Sequence, residues 1–255
     1  MKYERITLTL IPPVATLTLN SPPLNIIDIA MMDEIRCALG EIRSRREIRA
    51  LVVTGAGEKA FSAGVEIKEH TPELVQRMLV TFHNIFRDLI AIEIPTIARV
   101  RGHCLGGGWE LAAVCDYVIA TDSATFALPE IKLGCYPPVA AALFPLVTYP
   151  KHAERLIQTG ETIDATRARE LGLVTHLAPA AELDSTTAQV VEVVTGNSAA
   201  VARLLRRVSD SWRAEFLRRL DIAERAYLGE LTQLPDMTEG VAAFLEKRPP
   251  RWSHW

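Results

Sequence analysis

Three short runs of almost wholly apolar residues constrain the fold of this chain more than any other feature. They cover residues 49–54, 95–100 and 116–120. Such runs are typical of parallel strands that are covered on both faces. Apolar residues recur at helical spacing over 29–42 and 72–91, between the runs. Strands that alternate with helices in this way predict an α/β protein with right-handed β-α-β connections around a parallel sheet.

The segments around these runs add further elements. Residues 4–10 and 14–19 alternate between apolar and polar side chains, which indicates an opening β-hairpin. We expect Asp28 to cap the first helix and Pro72 to lie in the first turn of the second helix. A short additional strand is predicted at 125–128.

The last part of the chain favours helices. From Lys151 onward the pattern is helical, with an interruption at 171–174 and long amphipathic segments over 198–234. We therefore divide the chain into a core over residues 1–195 and a C-terminal helical region over 196–255.

Composition excludes several classes of function. Lysine and arginine number 28 against 31 aspartate and glutamate, so the net charge of −3 gives no overall attraction to nucleic acid or to anionic membranes. No apolar run approaches the roughly 20 residues of a membrane span, and no apolar signal core follows the first residues. The four cysteines form no CxxC pair, so we expect reduced thiols, no metal site and a cytoplasmic protein.

Two loops of small residues each follow a predicted strand. One holds Gly106-Gly107-Gly108 just before a short helix predicted at 109–113, and the other holds Ser62-Ala63-Gly64. Glycine permits close approach to the backbone, and the first turn of a helix has unbonded N–H groups. Two such loops can direct two N–H donors at one carbonyl oxygen, which is the arrangement of an oxyanion hole.

Two glutamates stand near these loops in the sequence. Glu110 lies in the first turn of the helix that follows the glycines, and Glu130 lies in the segment Leu128-Pro129-Glu130-Ile131. A helix and a strand separate them, so both can return to the same end of the sheet. Two carboxyl groups facing one water molecule can divide acid and base roles if their pKa values differ.

The order and spacing of these motifs resemble the crotonase (enoyl-CoA hydratase/isomerase) superfamily over nearly the whole chain. The resemblance rests on residues 60–68, 106–112 and 128–134 together. It implies a spiral core of ββα turns and a C-terminal α-helical trimerisation region. It also implies an acyl-CoA thioester as substrate, no prosthetic group, and assembly as a homotrimer or a dimer of trimers.

The resemblance assigns roles residue by residue. The backbone N–H groups of Val65 and Gly107 would hold the thioester oxygen, and Glu110 and Glu130 occupy the two positions that are glutamates in the hydratases. Contacts with coenzyme A are implied at Leu24, Ile26 and Ala63 and, from a neighbouring subunit, at Phe244 and Lys247.

The chain departs from the common hydratases near the expected acyl group. The aromatic Tyr136 and a second proline in Pro137-Pro138 replace small residues, and Trp109 precedes the catalytic glutamate. We therefore expect Trp109, Tyr136 and Pro137 to shape the acyl pocket; for Trp109 a place in the core is an equal alternative. Residues 126–138 resemble hydratases of anaerobic benzoyl-CoA degradation. That resemblance implies cyclohexa-1,5-diene-1-carbonyl-CoA as substrate and 6-hydroxycyclohex-1-ene-1-carbonyl-CoA as product.

Other interpretations remain open at this point. Within the same superfamily, the chain could be a hydratase of fatty-acid-type β-oxidation, an isomerase or a decarboxylase. Ser62 nearly matches a hydrolase nucleophile motif, although no sharp strand-to-helix turn is predicted there. A dense set of arginines could instead bind RNA or form a mixed charged face: Arg203, Arg206, Arg207, Arg213, Arg218 and Arg219.

Overall fold

The structure, a computed structural model, describes residues 3–209 and 211–255. Within these residues the strands are β1 (Ile6–Ile11), β2 (Val14–Leu19), β3 (Ala50–Gly55), β4 (Ala60–Ser62), β5 (Thr96–Val100), β6 (His103–Leu105), β7 (Tyr117–Thr121), β8 (Thr125–Ala127), β9 (Thr162–Asp164) and β10 (His176–Ala178). The helices are α1 (Ile29–Ser44), α2 (Val75–Ala91), α3 (Gly107–Val114), α4 (Pro138–Val147), α5 (Pro150–Thr159), α6 (Ala165–Glu170), α7 (Leu183–Gly196), α8 (Ala199–Val208), α9 (Ser211–Gly229) and α10 (Pro235–Leu245). Short 3-10 helices cover Ile67–Glu69, Pro129–Leu133, Ala180–Glu182 and Leu231–Gln233.

The strands form two sheets that the chain visits in turn. The larger sheet has the order β1-β2-β3-β5-β7-β10 and the smaller one β4-β6-β8-β9. The chain runs from β3 to β4 to α2, then from β5 to β6 to α3, so each turn places one strand in each sheet and then a helix. This repeat confirms the α/β spiral of ββα turns that the sequence predicts.

Apolar patterning explains the larger sheet. β3 is buried along almost its whole length and pairs in parallel with β2 and β5, as its apolar run predicts. β2 alternates, with Ala15, Leu17 and Leu19 buried, and it pairs with β1 in the predicted antiparallel hairpin. Asp28 caps α1 by accepting a hydrogen bond of 2.8 Å from the N–H of Met31, also as predicted.

The smaller sheet is the part of the fold that the sequence pattern predicts least well. β4, β6 and β9 of this sheet were not expected, and neither was β10 at the edge of the larger sheet, because a strand of three residues is too short to show a period of two. The second helix begins at Val75, so Pro72 lies in the preceding turn and the prediction of its place was wrong. The N–H groups of Leu74 and Val75 bond to the carbonyl of Thr71, so a separate hydrogen-bonded turn precedes the helix.

The C-terminal helices pack on the spiral of their own chain. α9 lies against α4 and α2, and α10 lies against the 3-10 helix at Pro129–Leu133. The predicted C-terminal helical region is therefore present, and part of its apolar surface covers the core. Throughout the described part of the chain, no helix is both long and apolar enough to span a membrane.

One buried amide fixes the first loop beside the smaller sheet. Nδ2 of Asn25 donates to the carbonyl oxygens of Ala56 at 2.9 Å and Ala60 at 2.8 Å, and its Oδ1 accepts from the N–H of Ser21 at 3.1 Å. The residue is fully buried and has a positive φ of 50°, which asparagine tolerates better than most residues. One side chain therefore ties the loop to both ends of the 56–60 connection.

We predict that Asn25→Ala lowers the free energy of unfolding by about 3 kcal/mol, because it leaves three backbone groups without their partners in a buried place. Urea denaturation followed by circular dichroism measures the change. Gln158→Ala, at an exposed position of α5, serves as the control and should shift stability by less than about 0.5 kcal/mol. Equal stability of Asn25→Ala and the wild type would contradict this role.

Candidate active site

A cavity of about 80 Å³ lies where the loops after β4 and β6 meet the 3-10 helix at Pro129–Leu133. Its position follows from the order of the smaller sheet. β4, β6 and β8 lie side by side in parallel, so the segments that follow them emerge at the same end. Val65 follows β4, Gly107 follows β6 and Glu130 follows β8. Three successive turns of the spiral therefore each contribute a residue to one cavity.

The two glycine-containing loops are in direct contact. A Cβ added to Gly64 would lie 3.2 Å from the carbonyl oxygen of Leu105 and 3.5 Å from the backbone nitrogen of Gly107. A Cβ on Gly107 would lie 2.7 Å from Cγ2 of Val65. Any side chain at either glycine would push the loops apart, so glycine is needed to bring the two backbones together.

The N–H groups of Val65 and Gly107 are available to a ligand. Gly107 is the first residue of α3, so its N–H has no partner within the helix. Next to Val65, the bridge to Ile27 uses the carbonyl of Gly64 and the N–H of Glu66. Both residues line the cavity. Holding a carbonyl oxygen as it gains negative charge requires backbone donors of this kind at one cavity.

Glu110 projects from the first turn of α3 and is 2% exposed. Its Oε1 accepts a hydrogen bond of 2.8 Å from the N–H of Ala140, in the first turn of α4. α4 begins with Pro138, and the residue before it makes no side-chain capping hydrogen bond. Glu110, which lies on α3, therefore caps the start of α4. Burial raises the pKa of Glu110, and the N–H groups of α4 partly oppose the rise.

Glu130 lies on the 3-10 helix, against the backbone of Gly106. A Cβ at Gly106 would lie 2.6 Å from Oε1 of Glu130, and its φ of 50° with ψ of −130° requires glycine. Oε2 of Glu130 is buried without a hydrogen-bond partner among the described residues. Burial, and secondly the charge of Glu110, raise the pKa of Glu130.

The two carboxyl groups influence each other's ionisation. Two like charges in one cavity disfavour a doubly ionised state, so the first proton leaves the pair more readily than the second. Helix N–H groups stabilise the anion of Glu110, and one oxygen of Glu130 has no hydrogen-bond partner among the described residues. These surroundings favour the anion of Glu110 over the anion of Glu130. A singly protonated pair can supply one base and one acid.

The structure brings most of the predicted residues together and leaves others outside the cavity. Those that line it are Ala63, Val65, Gly107, Glu110, Glu130, Tyr136 and Pro137. Leu24 and Ile26 lie outside, in the segment that bonds to the loop after β4, and the carbonyl of Leu24 accepts the N–H of Ala63 at 2.8 Å. Phe244 and Lys247 lie exposed at the end of α10, also outside the cavity. Their contact with a ligand in a neighbouring subunit stays a prediction.

Trp109 is in the core and does not line the cavity, so its expected place in the acyl pocket is corrected. Its side chain is fully buried and its ring lies 5.3 Å from the ring of Phe126 and 5.1 Å from that of Phe144. Neighbouring residues on a helix face different directions. Since Glu110 points into the cavity, Trp109 points toward the core.

Several cavity residues were missed by the sequence analysis. Met78, Leu79 and Phe82 come from α2, where their helical spacing indicates only a core-facing stripe. Tyr227 comes from α9 in the C-terminal region. His70 lies at the edge of the cavity, just after the 3-10 helix at Ile67–Glu69. No local motif marks these residues, because only the packing of distant helices brings them to the site.

The structure does not favour a serine nucleophile. Ser62 lies within β4, is fully buried, and its Oγ accepts the N–H of Gly64 at 3.1 Å. A hydrolase nucleophile belongs at a sharp strand-to-helix turn.

The arginines of the C-terminal region match the mixed charged face. Arg206 and Arg213 form ion pairs with Asp116, and Arg218 and Arg219 pair with Glu215. Arg207 also pairs with Glu93 at 3.8 Å, so five of the six arginines considered for RNA form ion pairs with carboxylates of the same chain.

Comparisons with known proteins show the family of this chain. A family model described as enoyl-CoA hydratase/isomerase matches residues 12–254. The probable enoyl-CoA hydratase echA8 of Mycobacterium tuberculosis is 36% identical over 100% of both chains. The cyclohexa-1,5-dienecarbonyl-CoA hydratase of Thauera aromatica is 33% identical over 93% of this chain and 92% of that protein. The crystal structure of an enoyl-CoA hydratase from Mycobacterium avium subsp. paratuberculosis K-10 superposes with a TM-score of 0.87 at 27% identity, covering 99% of this chain and 100% of the other.

The raised carboxyl pKa values predict a pH-dependent gain in stability for the amide variants. A carboxyl with a raised pKa holds its proton in the folded state after the unfolded chain has lost it, so its contribution to stability falls as pH rises through the folded pKa. Glu130→Gln has no charge to bury. We expect it to be more stable than the wild type by about 1–2 kcal/mol at pH 8.5, with the difference vanishing below pH about 4.

Chemical denaturation at several pH values measures this difference. Exposed Glu154→Gln is the matched control and should show no pH-dependent gain. A Glu130→Gln protein that is less stable than the wild type at pH 8.5 would contradict the buried-carboxyl assignment.

Proposed function

The chain belongs to the enoyl-CoA hydratase/isomerase family, and we propose that it adds water to a conjugated acyl-CoA thioester. The observation that carries the proposal is the shared cavity of two buried carboxyl groups and two backbone N–H donors. The presence of two carboxyl groups, Glu110 and Glu130, suits the addition of water, because one group must accept a proton from water while the other supplies a proton to carbon. Isomerisation and decarboxylation within the same family need the oxyanion hole and make less use of both carboxyls.

The residues act in a defined order in this proposal. The N–H groups of Val65 and Gly107 hold the thioester oxygen and polarise the conjugated system. Ionised Glu110 accepts a proton from water as the water oxygen bonds to the β carbon. The electron pair moves into an enolate whose charge rests on the thioester oxygen. Protonated Glu130 then delivers its proton to carbon, and the transfer of the water proton from Glu110 to Glu130 restores the starting state.

We propose cyclohexa-1,5-diene-1-carbonyl-CoA as the substrate, in the anaerobic degradation of aromatic compounds. In this case the proton from Glu130 reaches the far end of a dienolate, and the product 6-hydroxycyclohex-1-ene-1-carbonyl-CoA keeps one double bond conjugated with the carbonyl. Two features support the choice. A relative that is 33% identical has the corresponding name. Phe82, Tyr136 and Tyr227 also line the cavity, and aromatic faces suit a flat conjugated ring.

A straight-chain enoyl-CoA is the second candidate, favoured by the size of the cavity. Its volume of about 80 Å³ compares with about 150 Å³ for a cavity that holds benzene. A four-carbon enoyl group fits with less movement of the walls than a ring does. The relative that is 36% identical over its full length is named a probable enoyl-CoA hydratase.

The assembly and the cell compartment belong to the same proposal. We place the enzyme in the cytoplasm as a homotrimer or a dimer of trimers, with no prosthetic group. In that assembly Phe244 and Lys247 would contact the coenzyme A of a neighbouring subunit, Lys247 as a point charge for its phosphates. Leu24, Ile26 and Ala63 would contact the coenzyme A bound to their own chain.

We predict that the purified enzyme converts cyclohexa-1,5-diene-1-carbonyl-CoA with higher kcat/KM than crotonyl-CoA, and that each product gains one water. Mass spectrometry after reaction in ¹⁸O-labelled water measures both points. Preference for crotonyl-CoA would agree with hydratase activity but would contradict the cyclic diene as the substrate. Conversion without uptake of ¹⁸O would reject the hydratase in favour of an isomerase or decarboxylase.

Removal of either carboxyl tests the assigned chemistry. We expect Glu110→Gln and Glu130→Gln each to lower kcat by about 10²–10⁴-fold, since each removes one proton-transfer group. Thioester binding should persist, because the backbone donors remain. Glu154→Gln is again the control, and near wild-type kcat in both cavity variants would overturn the mechanism.

A further inference from the structure

Tyr227 is the cavity residue whose presence is hardest to explain by the chemistry assigned so far. Among the described residues after 196, it alone lines the cavity. Its side chain is 1% exposed, and its ring packs edge-to-face on that of Tyr136, with centroids 5.3 Å apart and planes at 62°. Two tyrosines that are distant in sequence thus form one aromatic wall.

The wall stands beside the catalytic carboxyl. The Tyr227 hydroxyl lies close enough to the Cys135 thiol and to Glu130 for both groups to act on its ionisation. Burial raises the pKa of Tyr227 well above its usual range, so the hydroxyl keeps its proton at every working pH. The phenol therefore adds no titrating group, and its main contribution to the cavity is its volume and its flat shape.

The wall is held in place from both sides. The hydroxyl of Tyr136 donates a hydrogen bond of 2.8 Å to the carbonyl oxygen of Ala223 on α9. Nδ1 of His83, buried on α2, lies 2.6 Å from Oε2 of Glu224. Ala223 and Glu224 lie about one turn before Tyr227, on the same helix. These contacts fix α9 against both α2 and the segment after Glu130. The ring of Tyr227 therefore cannot readily move away from the cavity.

We propose that Tyr227 is the residue that sets the size limit for the acyl group, with Tyr136 as its support. This inference rests on the proposed function, since it concerns the thioester that occupies the same cavity. Tyr136 and Tyr227 line the same cavity as Val65, Gly107 and Glu130, so their rings limit the space left for an acyl group held there. Acyl groups that are short or flat fit in front of the wall, and long chains require its removal.

The test compares substrates of different length in matched variants. The wild type, Tyr227→Ala and Tyr227→Phe are assayed with crotonyl-CoA and trans-2-decenoyl-CoA. We expect Tyr227→Ala to raise the kcat/KM ratio of decenoyl-CoA to crotonyl-CoA at least about 10-fold, the scale of discrimination by an apolar pocket. Tyr227→Phe keeps the ring and should leave the ratio within about twofold of the wild type.

Two controls make the result decisive. Tyr149→Ala removes an exposed tyrosine from the end of the α4–α5 connection and should leave the ratio unchanged. If Tyr227→Ala does not fold, as judged by circular dichroism, Tyr227→Leu replaces it, with a smaller increase expected in the same direction. An unchanged ratio in a folded Ala or Leu variant would overturn the inference, as would efficient use of decenoyl-CoA by the wild type.

Failure of this inference differs from failure of the proposed function. If the wild type hydrates crotonyl-CoA or the cyclic diene and the ratio does not respond to Tyr227, only the size limit is wrong. If the wild type hydrates none of the thioesters, the proposed function itself is wrong, and the proposed size limit is then wrong as well.

Discussion

Two carboxyl groups share one cavity in which burial disfavours the ionised form of each, and the site depends on this constraint. Each carboxyl is stabilised differently by what surrounds it. Glu110 has the N–H of Ala140 at the start of α4, and one oxygen of Glu130 has no hydrogen-bond partner among the described residues. The pair therefore retains a proton at a pH at which an exposed pair would be fully ionised. The resulting acid and base are a consequence of how the chain packs.

The spiral explains how distant residues reach this cavity. Each turn ends one strand of the smaller sheet at the same edge, and the next segment turns inward there. The first segment supplies the N–H of Val65, the second supplies Gly107 and Glu110, and the third supplies Glu130. Gly106 lets the second and third segments touch, since any side chain would displace the carboxyl. Each turn of the spiral thus contributes one part of the site.

Sequence patterns predicted the parts of the structure that are local. The apolar run of β3, the alternation of β2 and the capping of α1 by Asp28 follow from neighbouring residues alone, and so do the motifs that contain Glu110 and Glu130. The three-residue strands of the smaller sheet have no detectable period. Tyr227 reaches the cavity only through the packing of α9, and Trp109 is in the core against Phe126 of β8 and Phe144 of α4. Those outcomes depend on contacts between segments far apart in the chain, which a single sequence does not display.

The protonation of the carboxyl pair is the most direct test of this account. Infrared difference spectroscopy with ¹³C-labelled glutamate distinguishes a protonated buried carboxyl from an ionised one. The account predicts a protonated glutamate carboxyl band at pH 6.5 in the wild type, a weaker band in Glu130→Gln, where only the buried carboxyl of Glu110 remains, and an unchanged band in Glu154→Gln. Full ionisation of every glutamate in the wild type at that pH would contradict the central claim that burial holds a proton on the pair.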